Sequence, residues 1–344
     1  MNFLLMEMTH LRYWIPLVIE GNRRGIQSTF HIGPSYKYNC PHKYKDLLKK
    51  IGKEYNIKLE GLDNIDLCSG LLFSSEKTGI NIVEKATRAK KVVSTYQTDF
   101  IESYSLYIDS ADHVLMPSRF IADYYNLHTD KNLYLGIPKY DVALNKEQIL
   151  KKYSLPTGRK YLTYISPKAR DQERISGNWL MECFDQMGYT VLYKTRGKDP
   201  LTRAWTDALS QRGHYCFTDD SWYPHTTQEL LEISEIACNF GSTTIEECVM
   251  QRVPLINFDI KPEIRNGSKR PHRVTHEYLY KYDYCVQVNP DTVRPGHYKE
   301  VLAAASHLNN QLDSPEMALE FDKSTKNHLF DRKDICKKIL DVLL

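Results

Sequence analysis

The sequence predicts an α/β protein built from two doubly wound, parallel-sheet halves. Three observations predict it. The chain has 344 residues, room for two domains. Short runs rich in β-branched and aromatic residues alternate with stretches of helical spacing, joined by short turns, which is the pattern of parallel βαβ units. Two stretches, 113–122 and 236–245, echo each other coarsely, too briefly to be a repeat: strand, hydroxyl-bearing turn, helix.

The elements follow in chain order. Residues 2–8 are an apolar run that reads as the first strand, ending at Thr9 and His10. Leu11, Trp14, Ile15, Val18 and Ile19 then fall on one helix face, and the pattern stops at Gly21 and Asn22. Pro16 lies inside this helix and predicts an irregular first turn. Residues 25–32 form a strand closed by Gly33 and Pro34. A basic amphipathic helix is expected over 42–54, strands over 56–59 and 66–74, and a helix over 80–89. Residues 91–96 are rich in β-branched side chains and end at Gln97, Thr98 and Asp99. Then come a helix over 100–110, a strand over 113–116, a turn at Pro117 and Ser118, a helix over 119–125 and a strand over 132–135. Residues 139–158 read as the passage between the halves, with a helix over 146–153. The second half opens with a strand at 160–165 and a helix over 178–187, closed by Gly188 as its stop residue. Strands at 189–194 and 214–217 flank a helix over 201–211, and another helix covers 228–234. A last strand is expected at 284–288, with tail helices over 297–308 and 326–344.

The totals exclude several classes. A hydrophobic content of 42% and a charged content of 26% are those of a water-soluble globular protein. Lys+Arg of 46 against Asp+Glu of 43 leaves only +3, which argues against a dedicated nucleic-acid partner. The eight cysteines show no Cys-x-x-Cys pair and no Cys/His metal spacing, so free thiols in a reducing cytoplasm are expected. No apolar run approaches a membrane span, and 1–8 is too short for a signal peptide.

The most informative stretch runs from Ala237 to Asp259. An apolar run stops at Gly241, which allows a sharp turn and close approach of a ligand. Ser242, Thr243 and Thr244 are N-cap types, Glu246 and Glu247 suit a first helical turn, and Ile245, Cys248 and Val249 share one face. A strand resumes over 253–258. A helix N-terminus of this kind is a natural phosphate seat.

This Gly-Ser-Thr-Thr-x-Glu-Glu turn, the Arg252-Val253-Pro254-Leu255-Ile256 strand and the preceding helix at 228–234 resemble the donor half of GT-B glycosyltransferases. They are similar to the branch holding the non-hydrolysing UDP-N-acetylglucosamine 2-epimerases and the CDP-glycerol glycerophosphotransferases. The resemblance covers about thirty residues well. It implies two Rossmann-like domains facing across a cleft: 1–155 for the acceptor, 156–325 for the nucleotide donor, and a helix at 326–344 crossing back onto the first domain. It also implies that the hydroxyl-bearing turn holds a nucleoside diphosphate and that a helix glutamate holds the ribose.

Ligands of open parallel sheets bind at the carboxyl ends of the strands. In the second half that rule selects Gly241, Ser242, Thr243 and Thr244 for the diphosphate, with Lys194 or Arg196 as counter-charge and Lys198 close by. Glu246 is the ribose candidate by the family pattern, and Glu247 is the alternative. The segment 219–225 could hold the base. In the first half His10 and Asp99 are the candidates for a general base, with His31, Glu76, Ser118 and Arg119 also at strand ends. A basic loop carries Lys261, Arg265, Lys269, Arg270, His272 and Arg273, suited to an anionic acceptor or a membrane surface.

The expected activity is transfer of a sugar from a nucleoside diphosphate sugar to a glycan or lipid-linked acceptor in polysaccharide biosynthesis. It would occur in the cytoplasm, with peripheral attachment to the inner face of a membrane as a further expectation. No Asp-x-Asp motif occurs, so the expected chemistry uses no metal and no cofactor: helix dipole and cations stabilise the leaving diphosphate. The alternatives are a CDP-alditol phosphotransferase, a 2-epimerase and a non-catalytic nucleotide-sugar-binding protein. The phosphotransferases resembled here carry paired histidine signatures, which His214 and His225 do not reproduce. The epimerases carry a glycine-rich form of the donor turn, which Asn239-Phe240-Gly241-Ser242-Thr243-Thr244 is not.

Overall fold

The computed structural model describes residues 1–33, 40–75, 80–96, 110–166, 178–195, 201–218, 222–258, 276–289 and 298–344. The chain divides into two compact units: Met1–Val142 with Lys326–Leu344, and Ala143–Thr325.

The first unit holds seven strands, β1 (Asn2–Leu5), β2 (Ser28–Ile32), β3 (Ile57–Gly61), β4 (Gly70–Ser75), β5 (Ala89–Thr95), β6 (His113–Leu115) and β7 (Asn132–Leu133). They lie side by side in the order β3-β2-β1-β4-β5-β6-β7, every pair parallel. The second unit holds β8 (Lys160–Ile165), β9 (Tyr189–Lys194), β10 (Tyr215–Phe217), β11 (Ile236–Asn239), β12 (Leu255–Phe258) and β13 (Cys285–Val288). Their order is β10-β9-β8-β11-β12-β13, again parallel throughout. Each chain path runs outward from a central strand, returns, and runs out the other way. The reversal falls between β1 and β4 in one sheet and between β8 and β11 in the other. Such switch points open a crevice at the carboxyl edge, where ligands of doubly wound sheets bind.

Central strands are covered on both faces and are accordingly apolar. Phe3, Leu4 and Leu5 of β1 are fully buried, and Trp14 packs among Phe3, His10 and Phe73 with its indole N–H donating to Leu4 O at 3.1 Å. In the second unit Ile149, Leu150, Leu155, Tyr161, Leu192, Leu230 and Ile233 form one core cluster. The helix Lys146–Lys152 is fastened there by Glu229, which accepts both from Lys152 Nζ at 2.7 Å and from the Tyr153 hydroxyl at 2.6 Å.

Several elements differ from the sequence reading. The first helix runs through Pro16 over Leu11–Arg23, and the irregular turn precedes it as a 3-10 turn at Met8–His10. The helix expected at 80–89 forms only over Ile80–Val83; two further turns, Ala86 N–H to Val83 O and Ala89 N–H to Ala86 O, lead straight into β5. The helix expected at 100–110 lies almost wholly outside the described residues. The tail holds three helices where two were expected: Lys299–Gln311 falls near the first, Pro315–His328 was not expected, and Ile335–Leu343 begins later than 326. The break before the last helix falls in a polar stretch with Asp334 in the left-handed region (φ 54°), and Asp141 Oδ2 restarts the helix by accepting from Cys336 N–H at 2.6 Å. This last helix does return to the first unit. It buries Ile335, Cys336, Ile339, Leu340 and Leu343, and Arg24 bonds Lys337 O at 3.1 Å and Asp341 at 2.8 Å. Among the described residues no helix is long and apolar enough to cross a membrane.

His214 stands directly before β10, at the amino edge of the second sheet and so away from the ligand edge. Its Nδ1 accepts from Val191 N–H at 3.2 Å, and its Nε2 lies 3.0 Å from Asp185 Oδ1, which Arg212 also engages. Burial lowers its pKa below the usual 6.5, with Asp185 opposing and Arg212 assisting. A lowered histidine pKa means the unfolded chain binds the proton more readily, so stability is lost as pH falls through 6.5. The slope per histidine is at most about 1.4 kcal/mol per pH unit. We expect His214→Gln to flatten the decline in melting temperature between pH 7 and 5. His31 is lowered by burial in the same sense and leaves a residual slope.

Candidate active site

The donor turn forms at the β8/β11 switch point. β11 ends at Asn239, Phe240 follows, and Gly241 takes φ +60°, a conformation L side chains rarely adopt. Ser242 and Thr243 lead into the helix Thr244–Gln251, whose first turn is tight: Ile245 N–H bonds Ser242 O at 3.3 Å and Glu246 N–H bonds Thr243 O at 3.1 Å. Ser242 Oγ lies 3.2 Å from Thr244 Oγ1. No group among the described residues accepts from the backbone N–H of Ser242 or Thr243, and both residues are partly exposed. Two unaccepted N–H groups, three hydroxyls and the positive end of a helix dipole are the chemistry of a phosphoryl seat.

The amides beneath the turn were not singled out from the sequence. Asn239, Asn257 and Gln287 stand in register across β11, β12 and β13. Asn257 Oδ1 accepts from Asn239 Nδ2 at 2.8 Å and from Gly241 N–H at 3.2 Å, and Asn257 Nδ2 donates to Gln287 Oε1 at 2.9 Å. Asn239 Nδ2 also donates to Ser242 O at 3.2 Å. Asn239 and Asn257 are fully buried. The available signal was one amide at the same place in each of two otherwise apolar strands. On the opposite face of the sheet Tyr193, Tyr164, Phe240 and Phe258 form a continuous aromatic row, with centroid separations of 4.7, 5.1 and 4.7 Å. The turn is thus supported from both faces.

The two acidic residues of the helix are each paired. Glu246 and His276 are buried together at 1% side-chain exposure, and His276 Nε2–H donates to Glu246 Oε2 at 2.8 Å. His276 itself sits in the left-handed region, φ 70°. Glu247 lies 3.4 Å from His225 Nδ1, where His225 precedes the helix Thr226–Glu232. Glu246, the ribose candidate, is thus enclosed in a pair with His276. Lys194 ends β9 at the carboxyl edge as expected, but it is buried, with Nζ donating to Thr195 O at 2.7 Å. Arg196, Lys198 and the basic stretch from Lys261 to Arg273 lie outside the described residues, as do 219–221; in the rest of 219–225, Trp222 is buried and His225 faces Glu247.

In the first unit His10 lies at the β1/β4 switch point. It is fully buried; its Nδ1 lies 3.3 Å from Leu4 O and its Nε2 3.3 Å from Ser75 Oγ, at the end of β4. Asp99 and Glu76 lie outside the described residues. His31 points to Asn2 Oδ1 at 3.2 Å within the sheet. Ser118 caps its helix, accepting from Ile121 N–H at 3.2 Å and donating to His328 O at 2.7 Å, and Arg119 lies over the Tyr134 ring. The echo between 113–122 and 236–245 holds as strand, turn and helix. The donor groups differ, because the Ser118 hydroxyl is committed to the chain itself.

No protein-family model matches the sequence, and no curated protein matches it. Solved structures match over nearly the whole chain. A putative UDP-N-acetylglucosamine 2-epimerase from Listeria monocytogenes superposes with a TM-score of 0.63 at 12% identity, covering 98% of this chain and 94% of its own. A glycosyltransferase from Rickettsia africae gives 0.55 at 14% identity, with 99% and 97% covered. The wall teichoic acid polymerase TagF gives 0.59 at 13%, with 99% and 87% covered. Three differently named activities match at similar scores, so the likeness identifies the architecture and not the reaction. With two parallel sheets of Rossmann-like strand order and a terminal helix returned to the first unit, this chain has the GT-B fold.

Proposed function

We propose that the protein is a glycosyltransferase that moves a sugar from a nucleoside diphosphate sugar to a glycan or lipid-linked acceptor, without a metal ion. The observation that carries this reading is the pair of N–H groups at Ser242 and Thr243 that no group among the described residues accepts, at a helix N-terminus on the β8/β11 switch point. Negative charge builds on the diphosphate as the glycosidic bond breaks. Fixed N–H groups and hydroxyls stabilise it there without reorganising, and such donors are typically the largest electrostatic contribution to transfer chemistry. Lys194, at the end of β9 two strands from β11, adds positive charge to the same edge, with Arg196 as its proposed companion. Glu246 serves the ribose chiefly by holding the helix start in place. His10 is the proposed base. Its Nε2 lies 3.3 Å from the Ser75 hydroxyl at the end of β4, which orients the ring.

A thermal-shift series with UDP, GDP, CDP, CMP and ADP tests the donor reading. We expect one nucleoside diphosphate to raise the melting temperature most, since occupancy at a hundred times Kd adds about 2.7 kcal/mol to stability. A response to CMP equal to that of CDP would mean that no second phosphoryl is bound, and silence across all five would sink the reading. Turnover with the matching sugar donors then separates a transferase from a protein that only binds. A CDP-alditol donor in the same series separates the phosphotransferase.

A further inference from the structure

We propose that Asn257 is the positioning residue of the donor turn, its amide direction fixed by Gly241 N–H and its far side held by Gln287; this rests on the donor reading above. Asn257 sits on β12, one strand away from the turn it serves, and is fully buried. Its Oδ1 faces two donors at once, Gly241 N–H and Asn239 Nδ2, while its Nδ2 faces one acceptor, Gln287 Oε1. Turning that amide by half a revolution would set an NH2 against two donors and an oxygen against an acceptor. Only one orientation satisfies all four groups, and leaving buried groups of this kind unpaired costs about 1–3 kcal/mol each.

The consequence for the turn is specific. Gly241 N–H is drawn inward and consumed, and Ser242 O is held by Asn239 Nδ2 at 3.2 Å. With Gly241 N–H and Ser242 O pinned by the buried amides, the turn presents the next two N–H groups, those of Ser242 and Thr243, outward. The seat therefore offers two backbone donors, enough for one phosphoryl group. Gln287 lies on the edge strand β13 and is exposed, so the device can be altered from the surface without opening the core.

The test compares Asn257→Leu, Gln287→Leu and Gln287→Glu with the unaltered protein. Two quantities are read: amide hydrogen exchange at Gly241, and calorimetric affinity for UDP beside uridine. We expect Asn257→Leu to speed Gly241 exchange and weaken UDP by about tenfold or more, the worth of one buried hydrogen bond, with uridine unchanged. Gln287→Leu acts in the same direction by a smaller factor. Gln287→Glu keeps the acceptor and stays close to the unaltered protein, a rescue that a merely structural role does not produce. Should Asn257→Leu not fold, the exposed Gln287 pair carries the comparison. Unchanged Gly241 exchange in the leucine variants overturns the positioning role whatever happens to UDP. Exchange that follows the amides in a protein that binds no UDP supports the positioning role and overturns the donor reading instead.

Discussion

Thr243→Asp is expected to keep the fold and to remove nucleoside diphosphate binding. Thr243 is the residue from which the helix Thr244–Gln251 starts, and its side chain makes no capping bond there. Its backbone is already helical (φ −55°, ψ −13°), unlike the extended backbone of a capping residue, so an aspartate there acts through its charge. A carboxylate at the positive end of a helix dipole contributes about 0.3–1 kcal/mol of stability. The same carboxylate occupies the place proposed for a phosphoryl group. Two like charges about 4 Å apart at an effective dielectric near 20 repel by up to about 4 kcal/mol. Taking half to all of that value, affinity falls roughly 30- to 700-fold. The two effects have opposite signs, which separates this variant from ordinary damage: the melting temperature without ligand holds or rises while the UDP-induced shift disappears. A variant that melts as the parent does and still responds to UDP in full would show that the anion lies elsewhere.

Much of the architecture was legible because it is written locally. Alternating short apolar runs and helical spacings identify parallel βαβ units, and Gly188 and Gly241 mark a helix stop and a turn that the structure reproduces. The return of the last helix came from the family resemblance. Its break near Asp334 did not, because the helix restarts on a carboxylate nearly two hundred residues away, Asp141. The same physical reason hides the supports of the candidate site. Asn239 and Asn257 are 18 positions apart, and Asn257 and Gln287 are 30 apart. They meet only because β11, β12 and β13 are neighbours in register, which no local spacing encodes. Glu246 illustrates the converse. A glutamate in the first turn of a helix has an obvious local meaning, and its actual partner, His276, comes from a stretch with no recognisable pattern.

That partnership leads to the largest stability effect we expect. His276→Ala removes a donor from a carboxylate that is 99% enclosed. Breaking one side of a buried pair costs about 3–5 kcal/mol, because the remaining buried charge keeps its desolvation cost with one donor fewer. For a domain of 150–250 residues this is a fall in melting temperature of roughly 6–20 °C. Glu246→Gln behaves differently, since the amide oxygen still accepts from Nε2–H and the loss is of the order of 1 kcal/mol. Comparing these variants divides two roles for Glu246. If its purpose is to bind ribose directly, Glu246→Gln weakens UDP strongly at nearly unchanged stability, and His276→Ala at low temperature leaves UDP affinity intact. If its purpose is to hold the helix start beneath the phosphoryl seat, Glu246→Gln leaves UDP affinity within a few-fold, and His276→Ala loses stability and affinity together. The His276 bond at 2.8 Å engages Oε2 and makes the second role the one these variants probe most directly.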